Sequence, residues 1–446
     1  MNVSNLELIL VQKISNSTST LDTLIYSKAL QELKTGTITV VNTTSDLPNP
    51  NTAFIGHLFY EKTTEAMYLV DQLGYSRKIE AGPNLYSWGV NACGRLGDGT
   101  LTNRDSPVTT VGGGNNWNKV KMSLVGCSAI ALKRDGTLWT WGFNACGELG
   151  DGTTTNRSSP GTTAGGGTTW CDASMGYFFA AAIKTDGTLW TWGSNSHFQL
   201  GLGAGYNSLA CRSKPGTISG GGNNWCLISS GSRHSAAIKT DGTLWTWGDN
   251  TNGQLGDNSS STRSSPVTTA AGGFNWCFAD AGVTHTAAVK TDGTLWTWGY
   301  NGCGRLGDGT TTNRASPGNV SGGGTNWYKA STGFCHTAAI KTDGTLWTWG
   351  QNGYGQLGDG TTTARSSPGT VSGGGTNWCF VSAGRDYTIA VKTDGSLWTW
   401  GNGGGGRLGN NIQTAQCSPG TTIGNITTWF YASAGNCSSL GLKNFQ

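Results

Sequence analysis

Few side chains in this sequence have the type and spacing that could do chemistry, and those few recur rather than converge. His234, His285 and His336 follow one another at intervals of 51 residues. That repetition points to one hydrogen-bonding task performed inside successive structural units, and not to a shared metal or a proton relay. Five acid–base pairs repeat in the same way, each Asp six residues before its Arg: Asp98/Arg104, Asp151/Arg157, Asp257/Arg263, Asp308/Arg314 and Asp359/Arg365. One carboxylate per loop supplies too few oxygens for calcium, which takes about six to eight. A brace across the loop is the expected role. There is no Cys-x-x-Cys pair, so zinc has no support. No nucleophile, base and orienting group stand together, so neither an enzyme nor a cofactor or metal is expected.

What remains is recognition. Seven dipeptides vary while the sequence around them hardly changes: Gly126-Cys127, Tyr177-Phe178, Ser232-Arg233, Val283-Thr284, Phe334-Cys335, Arg385-Asp386 and Asn436-Cys437. Tyr and Arg are enriched among residues that dominate binding energies. The candidates for a binding surface are therefore Tyr177, Phe178, Ser232, Arg233, Phe334, Arg385 and Asp386. His197, Phe198 and Tyr206 join them because the stretch from Gly193 to Asn207 breaks the local pattern and carries four extra residues. The copy around Gly406–Gln413 departs too. Such loops carry specificity or merely tolerate drift.

The elements that position these residues come from a period. Trp-Gly falls at Trp88, Trp141, Trp192, Trp247, Trp298, Trp349 and Trp400, in steps of 53, 51, 55, 51, 51 and 51 residues. Within one period, Asn326–Ser331, His336–Lys341, Leu346–Trp349 and Ser367–Val371 read as four short antiparallel strands. Thr342-Asp343-Gly344 is a tight hairpin between the second and third, and Pro368 sits where a missing N–H costs no ladder bond. Four strands in about 51 residues make the blade of a β-propeller. Trp347 and Trp349 are expected to wedge between neighbouring blades, worth several kcal/mol each by area burial. The last segment, Gly435–Lys443, aligns with Gly333–Lys341 but stops before Leu-Trp-Thr-Trp-Gly, and the missing strand stands at Leu85–Gly89. The seventh blade is therefore a composite of both extremities, which closes the ring and removes exposed edges.

Composition agrees with such a ring over residues 82–446. Gly contributes 72 residues at fixed places beside Trp, and charged residues are 12% with a net charge of +4. No basic run favours nucleic acid, no apolar stretch is long enough for a membrane span, and no secretory leader is evident. The twelve Cys occupy recurring positions that lie about a blade apart, too far for most disulfides. They read as reduced, buried, small apolar side chains. Residues 1–81 differ in composition. A helix of about 14 residues after Thr20 and strands at Thr37–Val41, Gly56–Glu61, Ala66–Val70 and Arg77–Ile79 make a small α+β domain. It is expected to serve attachment or oligomerisation, or else to cap the ring.

The repeat resembles that of the regulator of chromosome condensation family, best at Gly333–Ile340 and at Trp349-Gly350-Gln351-Asn352-Gly353-Tyr354-Gly355-Gln356-Leu357-Gly358. The resemblance implies an all-β, seven-bladed propeller with a composite closing blade. It does not by itself imply nucleotide exchange. The near-identical, weakly charged copies resemble phage or bacterial forms, and residues 1–81 loosely resemble the attachment modules of phage fibres. The expectation drawn from this is a virion protein of tail-fibre type, made in the host cytoplasm. Residues 1–81 would hold it to other virion proteins as a homo-oligomer, and the propeller would grip a host surface glycan or protein. The alternative is a bacterial interaction module that binds or inhibits a protein partner.

Overall fold

Leu346–Gly350 is the third strand of a four-stranded antiparallel sheet, flanked by His336–Lys341 and Arg365–Thr370, with Trp327–Thr332 beyond His336–Lys341. The register runs from Ile340 opposite Leu346 to His336 opposite Gly350. The connecting hairpin is held by Asp343, whose Oδ1 accepts the Thr345 N–H at 2.9 Å and the Thr345 hydroxyl at 2.7 Å. Gly344 takes φ 77°, and a Cβ there would stand 2.6 Å from the Thr376 carbonyl carbon of the next blade. Only Gly meets both demands.

The computed structural model describes residues 39–41, 58–61, 66–70, 76–79, 83–206, 211–422 and 428–444. Seven sheets of this kind follow one another, and their first strands begin at Trp117, Trp170, Trp225, Trp276, Trp327, Trp378 and Trp429; blades 1 to 7 are numbered in that order. Blade 7 takes Trp429–Ala434 and Ser438–Lys443 from one extremity and Asn84–Gly89 and Arg104–Thr109 from the other. Their ladder runs from Ser438 opposite Gly89 to Lys443 opposite Asn84. The ring is a closed, seven-bladed β-propeller, as the missing strand requires.

The blades are joined by indoles. Trp88, Trp141, Trp192, Trp247, Trp298, Trp349 and Trp400 have no exposure. Each Nε1 donates to a loop carbonyl of the preceding blade, at 2.8–3.0 Å, with Arg407, Arg95, Glu148, Gln199, Gln254, Arg305 and Gln356 as acceptors in that order. The wedge expected of Trp349 is formed. Trp347 differs: it is half-buried at the hairpin end, its Nε1 bonded to the Thr345 hydroxyl at 2.9 Å and its ring 4.5 Å beneath the Lys341 ammonium. The two indoles share one face of the strand, but Trp347 stands two residues nearer the hairpin and so covers the edge of the seam that Trp349 fills.

The strands Thr39–Val41, Leu58–Glu61, Ala66–Val70 and Ser76–Ile79 form a separate four-stranded sheet. Its last three strands are the expected meander, and Thr39–Val41 adds to Leu58–Glu61 in parallel. The chain divides into two units at Pro83–Asn84. The helix expected after Thr20 lies outside the described residues.

Candidate functional site

The second strand of each blade starts where the third ends, so the varying dipeptides and the loop after Trp-Gly share one end of the ring. Backbone bonds link these dipeptides from blade to blade. The Tyr177 N–H donates to Ser232 O at 3.2 Å, Ser232 to Gly282 at 3.1 Å, Val283 to Gly333 at 3.5 Å, Phe334 to Gly384 at 3.2 Å and Arg385 to Gly435 at 3.1 Å. The Asn436 side chain carries the series on from blade 7 to blade 1, donating to Val125 O at 3.2 Å. A fixed backbone thus carries changing side chains.

Those side chains gather in two groups. On blades 1 and 2, Tyr177 stacks on Phe178 at 3.9 Å and Phe178 meets Phe143 at 5.3 Å. Phe178 holds φ 59°, a left-handed conformation that costs a bulky residue roughly 1–3 kcal/mol. On blades 5 to 7, the Arg385 guanidinium lies 5.2 Å from the Phe334 ring, 3.5 Å from Asp386 and 3.2 Å from the Asn436 amide oxygen. Burial raises the Asp386 carboxyl above its usual range although Arg385 and Arg407 pull it down. Arg233 is exposed, whereas Ser232 is buried and offers the surface nothing but backbone. Its small side chain is there to let two loops meet. Tyr300 and Tyr354 stand exposed in the loops after Trp-Gly, at the same end. Sequence reading passed over them and Phe143 because each is an isolated change within a constant loop.

The third copy is strained as well as longer. Phe198 stands where the other loops have Gly94, Gly147, Gly253, Gly304, Gly355 and Gly406, and it keeps their positive φ at 60°. Elsewhere a Cβ would touch the outer strand of the next blade, as at Gly304, 2.6 Å from Ser366 Cα. His197 Nδ1 lies 2.9 Å from the Ser196 hydroxyl, and burial, then Arg233, lowers its pKa. Leu202, in the place of the loop Asp, joins Leu200 and Phe179 in a small apolar cluster. Tyr206 ends a single 3-10 turn, Ala204–Tyr206.

The braces lie beneath this surface, and they are not the uniform set that a fixed spacing suggests. Arg104 and Arg263 grip Asp98 and Asp257 through Nε–H, at 2.8 and 2.7 Å. Arg157, Arg314 and Arg365 depart from that geometry. Arg157 reaches Asp151 through Nη2 at 3.1 Å, and its Nη1 is buried with no hydrogen-bond partner. Arg314 approaches Asp308 through Nη1 at 3.5 Å, and Arg365 approaches Asp359 in the same way at 3.7 Å. The reason stands four residues on in the outer strand. Behind Arg104 and Arg263 that residue is Val108 or Val267; behind Arg157, Arg314 and Arg365 it is Gly161, Gly318 or Gly369. The guanidinium folds over the bare glycine, where any Cβ would collide with it, and so turns its Nε away from the carboxylate. Burial would raise the Asp257 carboxyl, but bonds from Ser259, Arg263 and Asn250 hold it below the ordinary value.

The three His do not bond within their own blades, as the sequence suggested. His234, His285 and His336 Nε2 each meet a Thr hydroxyl of the next blade, Thr286, Thr337 and Thr388, at 2.9 Å. Thr286 gives its own proton to Gln254 O at 2.8 Å, so Nε2 of His234 must be the donor. Burial presses His234 down to about 4 and His336 to about 3, and Arg305 adds to the effect on His336.

All twelve thiols are free, yet only Cys335 is buried. Cys171, Cys226, Cys277 and Cys379 are exposed, because a bulge after the first Trp of each blade turns that position outward. Among the described residues no three His, Cys, Asp or Glu side chains form a metal-holding group, and no helix is long and apolar enough to cross a membrane.

A ring of repeated blades with one varied end defines a class, the repeat propeller that presents loops on a fixed frame. This chain belongs to the RCC1-like domain family, whose sequence pattern matches residues 84–440. It is 30% identical over 341 residues to the ultraviolet-B receptor UVR8 of Arabidopsis thaliana, covering 75% of this chain and 76% of that one. It is 29% identical over 323 residues to the human E3 ubiquitin-protein ligase HERC2, spanning 71% of this chain but 7% of that protein. In structure it is similar to Prp20p of Saccharomyces cerevisiae, with a TM-score of 0.72 at 17% identity over 82% of this chain and 92% of that one. Human WBSCR16 gives the same TM-score at 17% identity, over 82% and 99%.

Proposed function

We propose that this protein is a non-enzymatic interaction module that binds a protein partner through the loop end of the ring. One observation carries the reading: side chains change from blade to blade at that end, toward Tyr, Phe and Arg, while the frame beneath them repeats. The relatives support it. The structure of Prp20p was described together with its binding to Gsp1p and histones, and yeast RCC1 has been seen bound to Kap60. Attachment to a virion and grip on a host glycan rest on the likeness of the weakly charged repeats and of residues 1–81 to phage forms, and the relatives lend them no support. The interaction module, the alternative in the sequence reading, is the better-supported of the two.

The test is partner capture by in-cell cross-linking, with two sets of variants. Tyr177→Ala with Phe178→Ala, and Arg385→Ala, should each weaken the captured complex about tenfold or more, as truncating a hot spot does. Phe274→Ser and Tyr328→Ser, at the opposite end, should leave it unchanged. The reverse pattern would refute the assignment.

A further inference from the structure

The first strand of every blade faces the central channel with its third and fifth residues. The third positions give Lys119, Asp172, Leu227, Phe278, Lys329, Phe380 and Tyr431. The fifth give Lys121, Ser174, Ser229, Asp280, Ser331, Ser382 and Ser433. All of these except Asp172 line a cavity of about 290 Å³. The fifth-position ring is structural. Ser433, Ser174, Ser229, Ser331 and Ser382 each accept a backbone N–H of the next blade at 2.8–3.0 Å. Asp280 does the same for Thr332, taking its N–H and its hydroxyl at 2.8 Å each, and Asp172 accepts the Ile228 N–H at 3.0 Å.

The carboxylates are therefore committed to holding blades together, and each also has an ammonium partner. Lys119 pairs with Asp172, and Lys121 reaches Asp280 at 3.4 Å across the channel. Three ammonium groups against two carboxylates leave one positive charge over. It falls to Lys329, which among the described residues has neither an acceptor nor a counter-ion. Its Nζ lies 4.7 Å from the Phe380 ring centre and 5.7 Å from that of Phe278. Two aromatic faces attract a cation but do not neutralise it. Burial, and next the neighbouring Lys119, brings its pKa down to about 8, although Asp280 acts in the opposite sense. Near the hairpin end of the channel, Lys119 is occupied by Asp172, and the rest of the wall beside Lys329 comes from Leu227, Phe278, Phe380 and Tyr431.

The geometry points to a binding site for a small organic acid at the hairpin-end mouth of the channel, its carboxylate on Lys329 and its apolar body against Phe278 and Phe380. One uncompensated charge matches a monoanion. The cavity stands at the low end of ligand-pocket volumes, about 300–1,000 Å³, which suits a molecule the size of benzoate. Inorganic phosphate answers the charge but not the rings. The site lies away from the varied loops, so it is independent of the partner-binding reading.

Calorimetry on the full chain with sodium benzoate decides the matter, with benzyl alcohol and sodium phosphate as controls. Saturable benzoate binding is expected. Lys329→Met should weaken it at least about tenfold, Lys329→Arg should retain it, and Phe380→Leu should weaken it less than Lys329→Met. Gross loss of structure in Lys329→Met would show in its near-ultraviolet circular dichroism, and the comparison would then rest on Lys329→Arg and Phe380→Leu. Absence of benzoate binding by the wild type overturns the proposal, as does equal affinity in a folded Lys329→Met. Equal binding of benzyl alcohol, or tighter binding of phosphate, does so too.

Discussion

The two ends of the ring are built from the same strands yet obey different rules. At the hairpin end Lys184, Lys239, Lys290, Lys341 and Lys392 each lie over a pair of indoles, at 4.3–5.0 Å, and each hairpin Asp holds the hydroxyl two residues on. At the loop end backbone bonds recur between successive blades from Tyr177 to Gly435, but Tyr177, Arg233, Phe334 and Arg385 have little in common. Repetition marks what the ring needs for its stability, and variation marks what it can spare for contacts. The buried His and Trp sit between the two, on the repeated side of that division.

Acid should break the comparison hardest. His234, His285 and His336 have folded pKa values below that of the unfolded chain, so the unfolded state binds more protons and stability falls as pH drops from about 6.5 toward 4. Several kcal/mol are at stake, and urea titrations across that range should show the loss. A His234→Gln, His285→Gln, His336→Gln variant should show a flatter profile. Next, Trp349→Ala should cost about 3–5 kcal/mol in urea. Phe334→Ala at the varied end should cost less than about 1 kcal/mol. Equal costs would erase the distinction between frame and surface.

Glu148 sharpens the comparison because it is an odd residue in the frame. Three of the equivalent positions hold Gln199, Gln254 and Gln356, whose amide oxygens accept a loop N–H at 2.8–2.9 Å, and the other three hold Arg. Glu148 Oε2 does so for Cys146 at 2.9 Å, while Oε1 is buried without a partner. Burial lifts its pKa to about 7. A folded pKa above the unfolded one means that stability present at low pH is lost as pH rises from about 4.5 through 7. Glu148→Gln should therefore raise stability by about 2–3 kcal/mol at pH 8 and by little at pH 4, which thermal melts at the two values would show. The smallest effect is expected at the braces. Asp359→Asn removes a 3.7 Å pair to a partly exposed Arg365 and should cost under about 1 kcal/mol, with Asp257→Asn, at 2.7 Å, costing more.

Much of this is legible in the chain itself, for a physical reason. A closed repeat writes its period into the residues, so Trp-Gly gave the blade count, and the misplaced strand at Leu85–Gly89 gave the closure. The loop braces were legible because Asp and Arg keep a fixed separation. Their tightness was not: Arg157 and Arg314 look identical to Arg104 and Arg263 until the glycine behind each is seen to draw the guanidinium aside. The channel was hidden as well. Its lining comes from two residues per blade inside a short strand, and Lys119, Asp172, Leu227, Phe278 and Lys329 look like noise until a ring sets them side by side. The histidines were misjudged because a spacing of 51 residues does not tell whether a side chain bonds within its blade or to the next. The cysteines were misjudged because a bulge reverses the side of the strand to which a residue belongs.

The composite blade has a consequence for synthesis. Asn84–Gly89 leaves the ribosome before its partner Ser438–Lys443, which is made some 350 residues later. At about 5–20 residues per second, that strand waits roughly 20–70 s with one edge uncovered. Throughout that interval it is open to pairing with a second nascent copy. Shielding of that edge until Ser438–Lys443 arrives would prevent such pairing.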